Sequence, residues 1–228
     1  MKYILSAFIL LVTLPSFGQQ ITYEQWQQEA KSNINLLPEY GNVQKTKVQL
    51  DEDNEFVQST LKLDTTSRKA SDHLIRLGFT YLYRGDLETA MRRFNQAWLL
   101  DNTNADVYWG YGAIYMTFGD QESAIKQYDK GLTINPKSAN ILTDKATIYM
   151  VNFEHGGSED NIKQALQLFN QSYSIDATNQ NTLFKLSICY FLISDCTNAL
   201  KYYDACKKLG GQPISQDYTN ALMQKCNK

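Results

Sequence analysis

The sequence predicts an all-α protein, a solenoid of stacked helix pairs, and three observations lead there. Gly and Pro together number 16 of 228 residues, too few for a barrel or sandwich that must turn about every 8–12 residues. From Ser71 the chain resembles itself at a step of 34 residues, in blocks 71–104, 105–138, 139–179 and 180–213. A fixed period of that length is the mark of stacked supersecondary units. Within each block, the same places hold small side chains and the same places hold aromatic ones.

Residues 1–18 come before any of this. Lys2 gives a positive start, Tyr3 to Leu14 is mostly apolar, and Pro15-Ser16-Phe17-Gly18 ends in small residues one apart. This is the pattern of a secretory signal peptide cut after Gly18. The apolar run is shorter than the roughly 20 residues that span a bilayer. The expectation is an exported chain, periplasmic or extracellular. Residues 19–70 read as an N-terminal helical, capping segment. Tyr23 to Asn35 would form a helix with Trp26 and Ala30 on one face, broken at Leu37-Pro38-Glu39-Tyr40-Gly41. Asp51 to Leu61 would form another, N-capped by Asp51, and both pieces would pack on the first block.

The blocks carry the strongest signal. The small positions are Gly78, Ala90, Ala97; Gly112, Ala124, Gly131; Ala146, Ala165, Ser172; and Ser187, Ala199, Cys206. The aromatic positions are Tyr81, Phe94, Tyr115, Tyr128, Tyr149, Phe169, Tyr190 and Tyr203. Small residues let two antiparallel helix axes approach closely, and the aromatics fill the wedge beside that contact. Gly85 and Gly119 stand where a helix ends in a left-handed residue. Asp86, Asp120 and Asp195 stand where an N-cap accepts backbone N–H groups. Asn135-Pro136 closes the second block, since Pro cannot continue a helix.

This arrangement resembles the tetratricopeptide repeat family over 143 of the 228 residues. The resemblance implies a right-handed α-solenoid of four helix–turn–helix repeats. Leu74, Lys145 and Gly210-Gly211 depart from the family pattern. The third block is seven residues longer than the others, and the extra length falls at 152–161, read as a polar loop that tolerates insertion. Since the ends of a repeat stack need polar caps, residues 214–228 are expected to form a C-terminal capping helix. It would run from Gln216 to Asn227, with Ser215 as N-cap and Tyr218, Ala221, Leu222 and Met223 on its apolar face.

Charge and cysteines narrow the function. With 22 Lys+Arg against 24 Asp+Glu, the net charge is -2, and no strong field draws the chain to nucleic acid. The disulfide candidates are Cys189, Cys196, Cys206 and Cys226, with three possible connectivities. Cys206–Cys226 and Cys189–Cys196 are the pairings the helix positions suggest; thiols buried as small core residues are the alternative. No C-x-x-C occurs. The two histidines, His73 and His155, have no nucleophile–base partners suggested by the sequence. Glu154, His155, Glu159 and Asp160 read as a polar loop rather than a metal site. Asp51-Glu52-Asp53-Asn54-Glu55 opens like a calcium loop but lacks the Gly at the sixth position and has Lys62 in place of the Glu at the twelfth. The reading is no catalytic residue, no metal and no cofactor.

In the resembled family the first helix of each repeat lines a concave groove where peptides lie. Carried over position by position, the groove residues are Ile75, Arg76, Phe79, Tyr83, Trp109, Met116, Met150, Phe184, Lys185 and Phe191. The Lys, Arg and Asn that bind carboxylates in some family members are missing: Ile75, Phe79, Gly110 and Asp144 stand in those places. Exposed aromatic surface marks contact sites. The expected function is an exported, non-enzymatic protein–protein interaction scaffold that binds a partner segment in this groove. A module binding glycans or apolar ligands through the same aromatics is the alternative. Nucleic-acid binding and membrane insertion are not expected, and oligomeric state is left open.

Overall fold

The computed structural model describes residues 21–64 and 66–226. The proposed signal peptide and Asn227 lie outside those residues. Among the described residues the regular elements are all helical. Two helices, α1 (Tyr23–Ala30) and α2 (Lys47–Leu61), come before four hairpins. The hairpins are α3 (Ser67–Tyr83) with α4 (Leu87–Leu100), α5 (Ala105–Thr117) with α6 (Gln121–Ile134), α7 (Ala139–Glu154) with α8 (Glu159–Ile175), and α9 (Gln180–Leu192) with α10 (Cys196–Lys208). Helix α11 (Gln216–Cys226) follows.

Local chemistry sets most of the boundaries. Asp86, Asp120 and Asp195 each accept the backbone N–H three residues on, at 3.0 Å, and so start α4, α6 and α10. Ser215 does the same for α11 through the Tyr218 N–H at 3.2 Å. Gly85 and Gly119 end their helices at φ +78°. In the fourth hairpin Ser194 takes that turn at φ +63° without glycine's freedom.

Packing then follows from size. Phe94 is fully buried between Gly78 on one first helix and Gly110 on the next; a Cβ at either glycine would collide with its ring. Gly112 makes the same allowance for Tyr128. The larger member of each small–aromatic pair thus sits in space that the smaller one vacates. Each first helix packs on the next first helix, and each second helix packs on the following first helix. The first helices therefore line the inner side of the stack and the second helices form its outer side. Where the third and fourth hairpins meet, Thr143, Ser172 and Thr182 bury three hydroxyls that bond one another at 2.7–3.0 Å.

The structure differs from the sequence expectation in four places. Helix α1 stops at Ala30, and a tight turn at Ile34–Leu36 replaces its expected end. Helix α2 starts at Lys47 and not after Asp51, because Thr46 and Gln49 form a reciprocal capping box with bonds of 3.3 and 2.9 Å. The long third block is mostly not a loop: α7 and α8 have 16 and 17 residues where α5 and α6 have 13 and 14. The turn shrinks to 155–158, and Glu159 and Asp160 lie in the first turn of α8, each within 4 Å of Lys163.

The last difference concerns the cysteines. Cys196 pairs with Cys226, with Cα atoms 5.2 Å apart, while Cys189 and Cys206 are buried thiols. Neither suggested pairing forms. Cys206 is ten residues along α10 from Cys196, roughly 15 Å, and its Sγ faces the Gln180 carbonyl at 3.4 Å. Cys226, at the end of α11, comes back over the start of α10 instead. Burial pushes the Cys189 thiol up to about 12, so it stays an inert core residue.

Candidate interaction groove

The inner side of the first two hairpins carries a continuous aromatic run. Phe79 on α3 lies 4.2 Å from Trp109 on α5, between ring centroids, and 6.1 Å from Tyr83 one turn along its own helix. Phe79 also meets the buried Phe94 edge-on at 5.2 Å, which ties the run to the core. Tyr83 is 79% exposed. The spacing i, i+4 puts Phe79 and Tyr83 on one helix face.

A polar line continues from it. The Trp109 indole N–H donates to Asp144 Oδ2 on α7 at 2.6 Å. Burial raises the Asp144 carboxyl above the usual range, against the pull of that bond and of the Lys185 ammonium on α9. Burial lowers Lys185 in turn, and Asp144 opposes the shift. Three successive first helices thus contribute a neutral indole donor, a carboxylate and an ammonium, the last two offsetting each other's charge in a partly desolvated place.

The remaining residues expected in the groove divide by exposure. Arg76 is exposed, and Met116 is half-buried against the Tyr128 cluster. Ile75 and Met150 are each 5% exposed and contribute to the core. Phe184 and Phe191 are half-buried because Tyr218 of α11 meets their rings edge-on at 5.3 and 5.7 Å. Lys225 lies 4.4 Å over the Phe191 ring and donates to its carbonyl at 2.8 Å. Open aromatic surface therefore concentrates at the N-terminal half. The N-terminal segment does not cover it, for it packs against α4 and reaches Phe118 and Asp120 at the end of the second hairpin.

Sequence reasoning missed two features. One is the role of Tyr218, whose ring covers Phe184 and whose hydroxyl meets Ser187 Oγ at 2.6 Å. The other is the buried pair Asn95–Tyr111 on the outer side, bonded at 2.7 Å. A signal for the second lay in the repeat itself, since the same two positions one step on hold Asp129 and Lys145, which form an ion pair.

Among the described residues no helix is long and apolar enough to cross a membrane. No curated protein matches the sequence. Among solved structures, pilF of Pseudomonas aeruginosa is similar at 20% identity and TM-score 0.53, over 63% of each chain; the similarity thus spans less than two thirds of pilF. MamA is similar at 18% identity and TM-score 0.48, over 75% of this chain and 98% of that one. YrrB, described as a TPR protein with an unusual peptide-binding site, is similar at 16% identity and TM-score 0.45, over 88% and 97%. A family model described as tetratricopeptide repeat matches residues 81–150, from the end of α3 to within α7. The matched stretch holds the Phe94, Gly112 and Tyr128 packing on which the stack is built, and over residues 81–150 the chain carries the tetratricopeptide-repeat pattern.

Proposed function

We propose that the chain is an exported, non-enzymatic interaction scaffold. Four repeats over 71–213 would present a concave groove to an extended segment of another protein. Residues 19–70 and 214–228 would close its two flanks. The observation that carries the reading is the Phe79–Tyr83–Trp109 run. A soluble protein that leaves a tyrosine 79% exposed beside two further rings holds apolar surface in readiness for a contact. Trp and Tyr are the side chains that most often anchor such contacts. The Asp144 bond fixes the Trp109 ring before binding, which lowers the ordering cost on association.

The test is affinity capture with cross-linking from the exporting cell, comparing the wild-type chain with Tyr83→Ala/Trp109→Ala. Both should show the same helical circular dichroism. The variant should recover the partner at least ten-fold less well. Equal recovery rules out the groove. Recovery of no protein, together with glycan binding that the variant loses, favours the ligand-binding alternative.

A further inference from the structure

On the outer side, residues 31–46 form a strap that the solenoid already holds as it would a peptide. Asn95, fully buried on α4, donates its Nδ2 hydrogens to the carbonyls of Asn35 and Leu37, both at 3.0 Å. Its Oδ1 accepts from the Tyr111 hydroxyl at 2.7 Å, and that hydroxyl accepts the Glu39 backbone N–H at 3.1 Å. Two side chains on different helices thus recognise three main-chain groups of a segment built of two tight turns, Ile34–Leu36 and Pro38–Asn42. Recognition of that kind does not depend on which residues the segment carries. Side-chain selectivity comes from three anchors: Leu36 at 0% exposure, Tyr40 at 7%, and the Glu39 carboxylate, 2.8 Å from Lys130 Nζ on α6.

Three further observations indicate that the strap is held under tension and not locked. Glu39, Tyr40, Gly41 and Asn42 all have positive φ, at 57°, 55°, 68° and 53°. Three of the four are not glycine, and side chains disfavour this region; such strain persists only where the surroundings impose it, and it gathers at functional segments. The strap is also loosely flanked. A cavity of about 240 Å³ lies on its α2 side, bordered by Tyr40 and Gln96. An open cleft of about 940 Å³ lies on its α1 side, bordered by Leu37 and Tyr115. Finally, one repeat further on the corresponding positions close on each other as the Asp129–Lys145 ion pair. At the first step Asn95 and Tyr111 bond each other too, but they also hold the main chain of residues 35–39.

We propose that this outer face is an exchangeable peptide-binding site, occupied in the free protein by the chain's own strap. The outside partner is a protein segment able to turn as the strap does, offering an apolar side chain, an acidic one three residues later and an aromatic one directly after, the chemistry of Leu36, Glu39 and Tyr40. The acid is required by Lys130, the aromatic by Trp98, whose ring Tyr40 meets edge-on at 6.4 Å. The strap is then an internal competitor: a partner must match its anchors without the strain of its left-handed turn.

The probe is a fluorescein-labelled peptide of residues 33–42, added to the full chain and followed by anisotropy. Leu36→Ala/Tyr40→Ala weakens the strap but leaves the receiving face intact, so this variant should bind the peptide at least ten-fold more tightly than wild type. Adding Asn95→Ala should remove at least ten-fold of that affinity, whereas Trp109→Ala should leave it unchanged. Binding no better than wild type, or indifferent to Asn95, overturns the proposal. If the double variant fails to fold, hydrogen exchange on the wild-type chain decides. The Glu39 amide should exchange at least a hundred-fold faster than the buried amides of α4; equal protection means that the strap opens only on global unfolding, which also overturns it.

Discussion

The two flanks of the solenoid are closed by different means. At the C-terminal end α11 has one buried residue, Leu222, and is joined to α10 by the Cys196–Cys226 disulfide. At the N-terminal end no covalent bond is involved. The strap and α1 are held by Asn95, Tyr111 and Lys130, and by the Tyr23 hydroxyl on Asp120. A disulfide acts largely by limiting the unfolded chain and is indifferent to the contacts beneath it. A buried polar contact depends on each group being satisfied. The C-terminal closure thus adds a covalent bond to the contacts of Tyr218 and Lys225, whereas the N-terminal one rests on non-covalent groups alone, which makes the N-terminal flank the adjustable one.

The largest effect should come from Cys226→Ser. The bond closes a loop of 30 residues, worth about 3–4 kcal/mol by chain entropy. An 11-residue helix is marginal on its own, so without the bond α11 should exchange its amides nearly as fast as an open chain. Helices α3 to α8 should keep their protection. If their protection falls in step, the two flanks are not energetically separate and the contrast drawn above fails. A wild-type chain treated with a dithiol should behave like the variant.

Next in size is Asn95→Ala, which removes the side-chain donor from the Asn35 and Leu37 carbonyls and the acceptor from the Tyr111 hydroxyl, while the Leu37 carbonyl keeps the Tyr40 N–H and the Tyr111 hydroxyl keeps the Glu39 N–H. Orphaned buried groups of this kind cost about 1–3 kcal/mol each variant. Lys130→Ala removes a pair whose lysine is half exposed and should cost at most about 1 kcal/mol. Chemical denaturation of the two variants gives the comparison directly. A Lys130 effect equal to the Asn95 effect would mean that charge, not main-chain recognition, holds the strap.

The hairpins were legible because their rule is local and repeated. Phe94 against Gly78, and Tyr128 against Gly112, follow from side-chain size at a fixed spacing. That Phe79 and Tyr83 share a face of α3 was legible for the same reason, from their spacing. What the sequence did not disclose depends on partners distant along the chain. Asn95 and Asn35 are 60 positions apart, and nothing near Asn95 marks it as a receiver of main chain. Tyr218 looked like one more apolar residue of a cap, but its ring settles how much of Phe184 is open. The disulfide was misread because thiol positions along α10 were judged without the direction in which α11 returns.

The smallest effect sharpens the comparison through pH. Burial alone would raise the Asp120 carboxyl, but the bonds from the Tyr23 hydroxyl and the Ser123 backbone outweigh it, and Asp120 lies below its ordinary 3.8. The folded state thus favours the ionised form. The stabilisation is present above pH 3.8 and is lost as pH falls through the lower folded value. Tyr23, pushed up to about 12 by burial and by Asp120, remains a donor throughout that range. Acidification should therefore loosen α1 while α11 holds, because the disulfide does not titrate. Tyr23→Phe keeps the ring stacked 4.9 Å from Phe118 but removes the donor, so the Asp120 carboxyl should titrate at a higher pH in that variant. Carbon-13 NMR of the Asp120 carboxyl reads this shift. An unchanged titration would mean that α1 is held by its rings alone and that the N-terminal flank has one fewer polar control than the geometry assigns it.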